Sequence, residues 1–256
     1  MQFVDSGGAF VSQNEVYGCR YGTQINPGVN QHVEWSYFLS TVLGDTSSVT
    51  DFIIDPTAST ASIFGLNFTD TWASNAQGGP NVLIQNTGAA ANYSGIRFVH
   101  HRTHIGVSGY NGFTVNAGTE IALRDSTICS AAANTQAGIS VGALAKFAIQ
   151  NNTIGGGCDH VAGSLATAIT VNNSANEFEI TGNRLETATT PLTFTGSNAS
   201  AIINDNFGLD NTTPNIASAA SVALSVAPNA YLTGTTSIAT FTNTWSNRKV
   251  TLQSPS

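Results

Sequence analysis

Gly112-Phe-Thr-Val-Asn-Ala-Gly-Thr-Glu-Ile-Ala-Leu-Arg-Asp-Ser-Thr-Ile128 decides the fold, because the chain writes the same passage three more times. The copies are Gly112–Ala137, Gly138–Thr167, Ala168–Thr190 and Pro191–Thr213. Each opens on a strand: Phe113-Thr-Val115, Ile139-Ser-Val141, Ile169-Thr-Val171, Leu192-Thr-Phe194. A second follows in each: Ile121-Ala-Leu123, Phe147-Ala-Ile149, Phe178-Glu-Ile180, Ala201-Ile-Ile203. Apolar residues alternate with polar or small ones, the period of a half-buried strand. Three copies then turn into Ser126-Thr-Ile128, Asn152-Thr-Ile154 and Asn183-Arg-Leu185, and Asn206-Phe207 stands there in the fourth.

A repeat of 23 to 30 residues built from short strands cannot bury its own apolar side and has to stack on its neighbours. Stacking sets like above like, so Ser126, Asn152, Asn183 and Asn206 form a polar ladder at one corner, with His101 in the same column. The missing 3.6-residue period excludes helical solenoids. The expected fold is all-β, a right-handed single-stranded parallel β-helix.

Working outward, Phe52/Ile54 and Val82/Ile84 match Phe113/Val115, while Leu66/Phe68 and Ile96/Phe98 match Ile121/Leu123. That gives six coils over residues 49–213. Residues 1–48 do not fit the repeat. They read as an N-terminal cap, or the remnant of an upstream region, with Val33, Trp35, Tyr37 and Leu39 as the apolar side of one strand. Residues 214–256 read as a C-terminal β segment, with strands at Tyr231–Phe241 and Arg248–Leu252 and a turn at Trp245-Ser-Asn247.

The 256 residues carry only 9% charged side chains against 41% hydrophobic ones, which suits a neutral-surfaced solenoid and argues against disorder. A net charge of −7 gives no basic footprint, so no nucleic-acid partner is expected. No apolar run approaches the roughly 20 residues that span a bilayer. Nor does the N-terminus show a basic region followed by an apolar run, so neither membrane insertion nor a signal peptide is expected. Cys19, Cys129 and Cys158 lack metal-ligand spacing and read as buried free thiols without a disulfide framework. No metal and no cofactor is called for.

Leu232-Thr-Gly-Thr-Thr-Ser-Ile-Ala-Thr-Phe241, followed by Asn247-Arg-Lys-Val-Thr-Leu252, resembles a segment found after the β-helix in phage tailspikes. Thr41-Val-Leu-Gly-Asp-Thr46 leading to Asp51-Phe-Ile-Ile-Asp-Pro56 resembles the entry to such helices. Asn247 departs from the glycine usual before the arginine. The resemblance, to the pectate-lyase-like superfold, implies a tailspike or tail-fibre protein in the virion tail, extracellular after lysis. The alternative places are the bacterial cell surface or secretion. It implies binding of bacterial surface polysaccharide, contact with other tail proteins and a homotrimer. Ile53 and Leu83, outward on the first strands, are candidates for the trimer contact. The alternatives are a polysaccharide depolymerase, lyase or glycoside hydrolase, and a structural solenoid without ligand.

No fixed catalytic motif transfers, so candidates come from the coil alignment. Outward columns on the second strand read Glu120, Lys146, Glu177, Ser200; then Arg97, Ala122, Ala148, Glu179, Ile202; then Thr69, Val99, Arg124, Gln150, Thr181, Asn204. Glu177 and Glu179 share a side roughly 7 Å apart, a spacing at which one carboxyl can protonate a leaving oxygen while the other activates water. The bland reading of Glu120, Lys146 and Glu177 is a solvated charge ladder. Carbohydrate-binding candidates are Trp72, Arg97, His101, Arg124, Asp159 and His160. Trp35 and Trp245 read as packed.

Overall fold

The structure, a computed structural model, describes residues 1–158, 162–172, 177–186, 188–194, 200–209, 215–227 and 229–253; at 143–145 it describes the main chain. Among these residues all regular structure is β-strand. Strand pairs such as Phe98 with Leu123, Leu123 with Ile149 and Ile149 with Ile180 are parallel and in the expected register. The chain winds as a parallel β-solenoid, as a right-handed β-helix requires.

Three strands per coil make three faces. The first face stacks Tyr21–Ile25, Thr50–Ile54 and Val82–Ile84 and runs on through Ile139 and Ile169 to Leu192. The second stacks Tyr37–Leu39 on Ser62–Thr69 and Asn92–Val99, then continues to Glu177–Thr181 and Ala201–Asn204. The third is a separate sheet from Glu15–Tyr17 through Trp72–Ser74 and Thr127–Ser130 to Arg184–Glu186. Inward residues meet along the axis: Phe38, Phe68 and Phe98 stack ring on ring with centroids 4.6 and 4.5 Å apart.

Each coil passes from the second face to the third through one left-handed residue. These are Gln13, Ser40, Asp70, His100, Asp125, Asn151, Gly182 and Asp205, with φ from 48° to 66°. From Thr41 to Asn183 the next residue is buried, and from His101 to Asn206 these residues form the ladder. The His101 amide donates to Ser126 Oγ at 2.9 Å and the Ser126 amide to Asn152 Oδ1 at 2.9 Å. The Asn152 and Asn183 amides each donate to the Oδ1 of the next asparagine, Asn183 and Asn206, at 3.0 Å. Their Nδ2 groups donate to the main-chain oxygens of Leu123 and Ile149. Orphaned buried amides are costly, and here the neighbouring coil satisfies them.

Three expectations are corrected. Residues 1–48 are not outside the repeat: Gln2–Phe3 pairs with Tyr21–Ile25, and Phe10–Ser12 with Tyr37–Leu39, so two coils precede the expected six. The reading of Val33, Trp35, Tyr37 and Leu39 as one apolar side fails because Trp35 is itself left-handed, φ 48°. That residue splits the strand and reverses its facing, so Val33 and Phe38 point in while Tyr37 and Leu39 point out. The second correction is a disulfide, Cys129–Cys158, Cα–Cα 5.4 Å. Cys129 pairs in register with Gly155, and the glycines after it let the chain turn Cys158 back onto its partner. Cys19, also expected to be buried, is exposed and free.

The third concerns the C-terminal segment, where Tyr231–Phe241 is not one strand but parts of two, Asn229–Thr233 and Thr240–Thr242, in different sheets. Its strands at Asn229–Thr233 and Thr251–Gln253 pair in parallel with each other and with Asn215–Ala217. Trp245 closes the open end of the stack: its ring lies 6.0 Å from Phe194 and its Nε1 donates to Ile203 O at 3.2 Å. The Arg248 guanidinium covers the indole at 4.0 Å and donates to Asn243 O and Ser225 O. Burial lowers its pKa to about 10.

Two outcomes follow from the stack. Ile180 is fully buried between Ile149 and Ile203, so Ile180→Asp is expected to destabilise by at least about 3 kcal/mol, read as a lower urea midpoint or insoluble protein. His101 is buried, with Nδ1 2.8 Å from Thr71 Oγ1, and burial lowers its pKa to about 3. A depressed pKa contributes stability that is complete above the unfolded value near 6.5 and drains as pH falls toward 3. Asp51 acts oppositely. Burial raises its carboxyl to about 6 despite hydrogen bonds from Asn81 and Ser47, so its contribution is present in acid and lost as pH rises through 6. Subtracting the two proteins isolates His101: relative to wild type, His101→Asn is expected to gain about 2 to 3 kcal/mol between pH 7 and pH 4.5 in equilibrium unfolding.

Candidate functional site

Alternation along the second face sends every other side chain to solvent, and stacking lines these up in columns. The register places Arg97 beside Ala122, Ala122 beside Ala148, Ala148 beside Glu179 and Glu179 beside Ile202. Arg124 follows Val99 in the next column, and Lys146 stands opposite Glu177. Together they line an open groove of about 730 Å³, with Ala122 and Ala148 as its small-residue floor and Glu120 and Ser200 among its borders.

The charges in the groove differ in how they are held. Lys146 Nζ lies 3.2 Å from Glu177 Oε2, with both side chains largely exposed. Glu179 is half-buried and accepts from Thr181 Oγ1 at 3.2 Å. Arg97 and Arg124 are exposed, and among the described residues neither has an ion-pair partner. Glu120 reaches the rim from a left-handed backbone, φ 55°. The groove therefore offers free guanidinium groups near one end and carboxylates toward the other, over a floor a ligand can approach closely.

Of the sequence candidates, Arg97, Arg124, Glu177 and Glu179 come together here. Trp72 does not: it lies on the third face, half covered by the Arg102 guanidinium 5.3 Å from its ring. His101 is only 1% exposed, so a direct sugar contact is corrected to a core role. Asp159 and His160 lie outside the described residues. The run His100–His104 is divided by the corner, with His100 facing Asp70 at 3.3 Å outside while His101 points in. What the sequence reading missed is aromatic. Phe10, Trp35 and Tyr37 are outward and exposed, and the signal was the glycine at the position of Trp35 in neighbouring coils.

Comparison with protein-family models, curated proteins and solved structures finds no match to the chain. Fold and groove define the class reached here, a parallel β-solenoid with a charged, solvent-open groove along one face.

An exposed ion pair contributes little because solvent screens it. Glu177→Gln is accordingly expected to move the unfolding free energy by less than about 1 kcal/mol in a urea titration. A larger loss would mean that Lys146–Glu177 holds the two coils together.

Proposed function

We propose that the chain binds a polysaccharide lengthwise in the groove of its second face, as the receptor-binding β-helix of a phage tailspike or tail fibre. The observation carrying this is the convergence of Arg97, Arg124, Glu177 and Glu179 on one open groove. Long polymers suit long shallow grooves, and sugar hydroxyls suit charged donors and acceptors displayed at regular spacing. Free guanidinium groups bind carboxylates in a two-pronged geometry, which favours a glycan carrying acidic groups. The virion-tail location, the contacts with other tail proteins and the homotrimer belong to the same reading, on the resemblance of Leu232–Phe241 and Asn247–Leu252. Ile53 and Leu83 are half-buried on the first face and supply apolar area for a trimer contact.

The second reading is depolymerisation, favoured by one observation: Glu177 and Glu179 both face the groove from one strand.

Incubation with capsular and O-antigen polysaccharides, reading retention and chain length together, separates the readings. Retention without shortening supports binding. Shortening that Glu177→Gln or Glu179→Gln abolishes supports cleavage. For a retained acidic glycan, Arg97→Ala and Arg124→Ala are each expected to weaken binding about 10- to 100-fold, the scale of one charge-assisted hydrogen-bonded contact. Retention unchanged in both variants would remove the groove from the reading.

A further inference from the structure

Trp35 is anomalous in its backbone. Among the described non-glycine residues with left-handed φ it is the bulkiest. A large side chain in that region is strained, and strain of this kind persists where something outweighs it. The register sets Trp35 in line with Gly8 before it and Gly65 and Gly95 after it, all left-handed with φ of 68°, 69° and 68°. Glycine is the ordinary solution at this corner; the column departs from it at Trp35 and again at Glu120, φ 55°, whose side chain is at the groove rim.

Gly65 shows what the tryptophan gains. A Cβ there would lie 2.7 Å from Trp35 Cε3, so the indole is laid across the bare backbone of the next coil. Phe64 braces it edge-on, centroids 5.1 Å apart. The ring is thereby fixed yet remains 59% exposed. Tyr37, two residues on, points the same way and is 50% exposed; Phe10 is its register partner and is 68% exposed. All three rings are turned to water, the reverse of what hydrophobic burial would select.

We infer that Phe10, Trp35 and Tyr37 form a stacking platform for sugar rings, a second subsite on the N-terminal coils. This rests on the glycan-binding reading above and extends it. The platform is continuous with the groove: Phe10, Tyr37, Asn67 and Arg97 occupy one outward column in successive coils. At roughly 4.8 Å per coil, Tyr37 and Arg97 are about 10 Å apart, within the span of a short oligosaccharide lying along the axis. The apolar face of a pyranose ring packs on aromatic surface, while its acidic groups reach the guanidinium groups further along. A second copy of this chain would equally cover apolar rings, but it would not require them to continue the column that enters the groove.

The decisive variant is Trp35→Gly, which restores the glycine of neighbouring coils and removes the backbone strain. Its melting temperature is expected to stay within a few degrees of wild type, while affinity for the polysaccharide retained by wild type falls about tenfold or more, the scale of an aromatic stacking contact. Tyr37→Ser, an exposed position, provides the same test if Trp35→Gly is unstable. Wild-type affinity in both variants, with Arg97→Ala still weakened, overturns the platform and leaves the groove reading intact. Retention of no polysaccharide by wild type overturns both. A drop in oligomeric mass on light scattering with Trp35→Gly also overturns the platform, assigning the rings to a contact between copies.

Discussion

A main-chain amide at a tight interior corner has no strand partner, and in this protein it finds the side chain of the next coil. That bond passes along the stack from His101 to Asn206: Ser126, Asn152 and Asn183 each receive from one coil and donate to another, with His101 as the first donor and Asn206 as the last acceptor. The left-handed residue before each of them turns the chain so that the polar side chain points in. Stack and corner are thus one constraint. Coils must be in register for the corner amides to be satisfied, and register in turn superimposes Phe on Phe and Ile on Ile within the core.

The same register governs the outside. Side chains that face solvent in one coil fall beside their counterparts in the next, so the second face carries ordered columns of charge and aromatic surface. Small residues matter as much as large ones there. Ala122 and Ala148 leave the floor between Arg97 and Glu179 open, and Gly65 leaves room for an indole. The groove is therefore a product of which positions were left empty as well as which were filled.

Much of this was legible in the residues. Alternation gave the inward set, and the repeats gave the coil alignment, including the pairing of Lys146 with Glu177. Two things were hidden. Trp35 looked like one more apolar residue of an alternating strand, because nothing in its identity announces a left-handed backbone that reverses facing. The disulfide was obscured because Cys129 and Cys158 are out of step by sequence, and only the glycine turn between them brings the sulfurs together. The groove residues were found because they lie on the regular part of the repeat, and the aromatic platform was missed because it lies beside an irregular turn.

The corner ladder also bears on how such a chain can change length. Cutting out one whole coil, from one left-handed corner residue to the equivalent residue of the next, rejoins two corners of the same geometry. The surviving ladder side chains can then bond across the junction. Losing part of a coil instead would swap inside for outside in everything downstream until the next corner. Insertions in the turns that lead from the third face to the first would leave both ladder and core alone. Rod length and loop decoration are therefore the freely variable dimensions of this protein, while the cross-section of the coil is held fixed.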